Sequence, residues 1–135
     1  MNIFSIFIKK RDTVLKQGPF IVLCVTEKEG LSAENSFAIR KIISDSKPND
    51  FIFLNPGTFN VFFSEADIGN QRAGKLAKDL RDFAVQNKIS QFGVGMKSGL
   101  VYVQLTTDGR FSSHPIGETI SLAQRAALLE AESVL

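Results

Sequence analysis

The chain has 135 residues, 44% of them apolar and 22% charged, with a formal net charge of +2. That length suits one domain with one packed core, and the near-balanced charge, with Lys and Arg scattered among Asp and Glu, excludes the broad basic stripe that nucleic-acid binding needs. Twelve Phe and no Trp point to a Phe-rich core, and the single cysteine excludes an internal disulfide, which fits a reducing, cytoplasmic compartment.

The run Asn2 to Ile8 is apolar but short. It is followed by Lys9, Lys10 and Arg11 with no small-residue cleavage site, and it falls below the roughly 20 residues that cross a bilayer, so it reads as neither a secretory signal nor a membrane span. Within a single domain over 1–135, residues 1–19 are expected to form an N-terminal arm or an extra strand. Phe20 to Val25 is a continuous apolar run bounded by Gly18-Pro19 and by the polar stretch Thr26 to Gly30, the pattern of a central strand buried on both faces. Cys24 lies inside it and reads as a buried, inert thiol.

Ser32 is placed to cap a helix in which Ala38 with Ile42 and Ile39 with Ile43 recur at four-residue spacing, until Lys47-Pro48 stops it. Phe51 to Leu54 and Phe59 to Phe63 are strand-like runs around Asn55-Pro56-Gly57-Thr58, where Pro and Gly make a turn, one wider than two residues. Gly69 to Asn87 predicts a helix with Ala73, Leu76, Ala77, Leu80, Phe83 and Ala84 on one stripe. From Phe92 onward Val101, Val103 and Leu105 alternate with polar neighbours, and Asp108-Gly109 predicts a type I′ hairpin turn. Thr119 to Glu132 closes the chain as an Ala- and Leu-rich helix. The order β-α-β-β-α-β-β with a final helix predicts an α+β fold, a mainly antiparallel sheet with helices on one face in the ferredoxin-like style.

Glu27-Lys28-Glu29-Gly30-Leu31-Ser32, the hairpin Pro56-Gly57-Thr58-Phe59, and Gly117-Glu118-Thr119-Ile120-Ser121-Leu122-Ala123-Gln124-Arg125 carry a further reading. In order and spacing they resemble the class III adenylyl/guanylyl cyclase family over roughly Phe20 to Leu129, as a degenerate member. The hairpin also resembles a degenerate diguanylate cyclase signature. The resemblance implies a nucleotide cyclase-like fold, and an activity that joins the 3′ hydroxyl of a nucleoside triphosphate to its α-phosphate. Two metal ions held by two carboxylates would support it, at sites formed between two domains. Glu27 stands at the first carboxylate and is a weak metal candidate, or a solvated turn acid. Gly57 stands at the second and offers no ligand. Phe53 replaces the adenine-reading lysine and His114 its aspartate partner; His114 otherwise reads as a polar turn residue. Ser121 replaces the ribose-orienting asparagine. Arg125 matches the arginine that stabilises phosphate, and either contacts an anion or is a surface cation paired with a nearby acid.

These substitutions lead to an expectation of a catalytically inactive cyclase-like domain with a regulatory or protein-interaction role, with no catalytic residue, no bound metal and no cofactor. A homodimer through the face where active cyclases pair is expected, or another protein partner. The alternatives are a divergent active cyclase using Glu27 with Glu29 or Asp67 and Arg125, and a non-catalytic nucleotide or anion sensor. No P-loop, nucleophile elbow or His/Cys metal spacing occurs.

Overall fold

The computed structural model describes residues 13–28, 32–54, 57–64 and 67–133, with side chains described from Gly18 onward and, at the start of the second helix, from Gly69. The elements in order are β1 (Thr13–Glu27), α1 (Ala33–Asp45), β2 (Asp50–Leu54), β3 (Thr58–Ser64), α2 (Asp67–Gln86), β4 (Phe92–Thr106) and α3 (Glu118–Glu132). The four strands make one antiparallel sheet in the order β2-β3-β1-β4, the ferredoxin-like arrangement expected from the alternation of strands and helices. No described helix is long and apolar enough to cross a membrane.

β1 is central, and Phe20 to Val25 are all buried, as a strand covered on both faces must be. Alternation sends Ile21, Leu23 and Val25 to one face and Phe20, Val22 and Cys24 to the other. The first set joins Phe59, Val61 and Phe63 of β3 under Ile39 and Ile43 of α1 and Ala73, Leu76, Ala77, Leu80 and Ala84 of α2. Ser32 caps α1 by accepting the Asn35 N–H at 3.0 Å. The predicted stripes of both helices therefore meet one face of the sheet.

α3 lies on the opposite face, where Ala123 and Ala127 pack with Phe20, Val22, Cys24, Phe62, Val101 and Val103. It sits close because β4 presents glycines beneath it at positions 93 and 95. A Cβ on Gly93 would overlap the carbonyl of Ala127, and one on Gly95 the carbonyl of Ala123. At these two positions the helix backbone rests on the strand backbone.

Three local expectations are corrected. β1 begins at Thr13, so residues 13–19 of the expected arm are the first half of the central strand and Gly18-Pro19 lies within it. Pro19 is tolerated because it stands opposite Leu100 at a position whose backbone faces away from β4, while pairing with β3 starts only at Phe20. The run Asn2 to Ile8 lies outside the described residues. The turn after β4 is not type I′: Gly109 alone has positive φ, at 86°, and its N–H donates to the Thr106 carbonyl at 2.9 Å, the pattern of a type I turn followed by a left-handed glycine. The returning segment then makes only single bridges, Leu105 with Phe111 and Tyr102 with Ile116, in place of a continuous strand.

Candidate functional site

β1 and β3 end side by side at the top of the sheet. Thr26 pairs with Thr58, their hydroxyls 2.8 Å apart, and one step further the Glu27 N–H donates to the Gly57 carbonyl at 3.4 Å. The two positions that the resemblance assigns to carboxylates are therefore cross-strand neighbours. One carries a half-buried acid and the other, buried Gly57, carries nothing. Residues of this kind do not fit a pair of divalent ions, which needs hard oxygen ligands from both strands. Among the described residues no three His, Cys, Asp or Glu side chains converge as a metal site. Glu29 and the Asp67 side chain lie outside the described residues.

Beside this point, on the α3 face, two adjoining hollows of about 170 and 210 Å3 run between the β2–β3 half of the sheet and the helix. Ile52, Leu54 and Phe62 form an apolar floor, Ile120 and Leu128 the helical wall, and Asn60, His114, Gln124, Thr26 and Thr58 bring polar groups. The segment at His114 is held near β2 by Asp50, whose carboxylate accepts the Phe111 N–H at 2.9 Å and lies 3.7 Å from Arg110. Asn60 is 4% exposed, and its Oδ1 is buried with no hydrogen-bond partner among the described residues. An acceptor left unpaired there would cost about 1–3 kcal/mol, so Asn60 Oδ1 offers the hollow an acceptor for a donor, whether water or a ligand.

The other predicted positions scatter. Phe53 points to the α1 face, 4.8 Å from the Phe59 ring and beneath the Arg40 guanidinium at 5.8 Å, so the structure does not bring it together with His114. His114 is exposed at the rim of the hollow. Ser121 and Arg125 lie on the exposed side of α3, and Arg125 forms no ion pair among the described residues. Cys24 is the inert thiol expected: burial pushes its pKa up to about 12.

Sequence reasoning missed Asn60 and Gln124. A single amide within the apolar strand Thr58–Ser64 was the available signal for Asn60, since period-two alternation places it with Phe62 on the inner face. A further hollow, about 460 Å3, lies far from this site between the end of α1 and α2. Two of its cations are engaged, Arg72 on the Lys47 carbonyl at 3.4 Å and Lys75 on Asp79 at 2.7 Å.

Comparison with known proteins agrees with this architecture. No protein-family model and no curated protein matches the chain. In structure it is similar to a bacterial light-regulated adenylyl cyclase, with a TM-score of 0.58 and 14% identity, over 86% of this chain and 41% of that one. The adenylyl cyclase CyaB from P. aeruginosa gives 0.54 and 18% identity, over 90% of this chain and 75% of that one. A dimeric guanylyl cyclase domain of the RhoGC fusion protein from the aquatic fungus Blastocladiella emersonii gives 0.56 and 14% identity, over 91% and 78%. The chain spans about two-fifths of the length of the light-regulated enzyme. At such identities the likeness is one of fold, and the fold is nucleotide cyclase-like.

Proposed function

We propose that this chain is a catalytically inactive, cyclase-like domain whose role is regulatory, exercised through protein interaction. The observation that carries the reading is Gly57, which meets Glu27 across the sheet and has no side chain to complete a metal pair. With one carboxylate in place of two, no side chain among the described residues is placed to hold a second cation against a triphosphate or activate the attacking hydroxyl. A cyclase-like frame without its chemistry leaves the pairing surface as its use, and a homodimer is the simplest partner. Leu128 and Leu129, 45% and 61% exposed, flank Arg125 on α3 and supply apolar area for such a contact.

The test is conversion of ATP or GTP to a cyclic product with magnesium or manganese, which is expected to be undetectable. Product formation that vanishes in Glu27→Ala would overturn the reading in favour of a divergent cyclase. A second reading, a nucleotide or anion sensor without turnover, is favoured by the Asn60 acceptor and by Arg125, which has no ion pair among the described residues. Calorimetric titration with ATP or GTP, compared between the native chain and Asn60→Leu and Arg125→Ala variants, tests it. Loss of heat in both variants supports the sensor.

A further inference from the structure

β4 is an edge strand, and its outward backbone groups can be followed one by one. Its even-numbered residues direct N–H and C=O away from β1, as Val94 shows: its carbonyl accepts Arg81 Nη2 at 3.0 Å and its N–H donates to Glu130 at 3.2 Å. Further along, the Leu100 carbonyl accepts Thr119 Oγ1 at 2.9 Å, and Tyr102 exchanges both groups with Ile116 at 2.9 Å. Gln104 and Thr106 bond Ser112 and Arg110 of the returning segment. Between these closures the N–H and C=O of Met96 and Ser98, and the N–H of Leu100, have no partner among the described residues. Proteins guard their sheet edges, and this one guards β4 on both sides of a bounded opening.

The surroundings of the opening indicate what fits. Met96, Lys97, Ser98 and Leu100 are exposed, and Lys97 forms no ion pair among the described residues. A second copy cannot pair edge to edge here. The fifteen-residue β4 of a second copy would run on past Leu100 into the place beside Tyr102 that Ile116 already holds, and beyond it into Ser112 and Arg110. A lone strand meets no such clash. It would run under the flank of α3 that holds Leu122, Ala126 and Glu130 at four-residue spacing, the flank whose Glu130 already reaches the edge at Val94.

We propose that Met96 to Leu100 of β4 takes an extended peptide of a partner protein as an added strand, with an acidic side chain opposite Lys97 and apolar side chains opposite Met96 and Leu100. Backbone bonds supply the affinity and the alternate side chains the selectivity. The surface is separate from the hollow at Asn60 and does not depend on the pairing surface proposed above.

The full chain with the capped peptide Val-Thr-Val-Glu-Val provides the test, read by amide chemical shifts and hydrogen exchange. Antiparallel addition sets the Glu opposite Lys97 and the central Val opposite Ser98. On saturation, exchange of the Met96 and Ser98 amides is expected to slow by at least about tenfold. N-methylation of the central Val should abolish binding, whereas N-methylation of Thr or Glu, whose amides face away, should leave it. Lys97→Glu should weaken this peptide by about two- to thirtyfold and favour the Lys-for-Glu peptide, one favourable cross-strand pair becoming a like-charge pair. Four outcomes overturn the proposal: no protection at millimolar peptide, equal effects of all N-methylations, shifts centred on Asn60 and Gln124, or protection that rises with protein concentration alone.

Discussion

Single residues set the closest approaches in this molecule. Gly93 and Gly95 are there because α3 presses its backbone onto β4, with Ala123, Ala127 and Ala131 buried above them. Gly95→Ala would force helix and strand apart, and overpacking of this kind costs about 1–3 kcal/mol, so its urea midpoint should fall clearly below that of the native chain. Leu80, fully buried under the sheet, should lose about 2–5 kcal/mol on truncation to Ala, measured the same way. Asn60 should behave in the opposite sense. Replacing its orphaned acceptor with Leu, close in volume, removes a desolvation cost of about 1–3 kcal/mol and should raise the midpoint, the expected signature of a residue kept for binding.

At the scale of elements, the Arg81–Glu130 pair joins α2 and α3 around the edge of β4. Arg81 Nη2 and Nε meet the two Glu130 oxygens at 2.7 and 3.0 Å, and the pair caps both backbone groups of Val94. Burial alone would raise the Glu130 pKa, but the Arg81 hydrogen bond, the Val94 N–H and the Arg81 charge together hold it below the ordinary value of 4.5. A carboxylate lowered in the folded state contributes stability that is present above 4.5 and is lost as pH falls through its lower folded value. Glu130→Gln should therefore be less stable than the native chain near neutral pH. Below the folded pKa of Glu130 the gap should close, and denaturation at the two pH values checks the sign.

For the whole molecule, the expected assembly is a two-fold dimer burying at least about 1,000 Å2, measured by sedimentation at micromolar concentration. A monomer would leave Leu128 and Leu129 without their proposed contact and move weight to the sensor reading. Such a result would not touch the β4 peptide surface, which the segment returning to Tyr102 closes to a second copy.

The sequence by itself determined the elements whose residues repeat with one period: the apolar run Phe20 to Val25, the four-residue spacing of Ile39 with Ile43, and the stripe from Ala73 to Ala84. Burial of one continuous face leaves such segments little choice. It also determined that Gly57 brings no ligand, because an absent side chain is absent in any fold. Only the tertiary structure decided that β1 continues through Pro19, since a proline is tolerated where pairing on one side has not yet begun. Packing likewise decided that Phe53 turns from His114 toward Arg40, a one-residue alternation that spacing along the chain cannot assign without knowing which face each strand shares. The hollow at Asn60 and the open stretch of β4 are tertiary for the same reason: each is defined by groups from distant segments that fail to reach it.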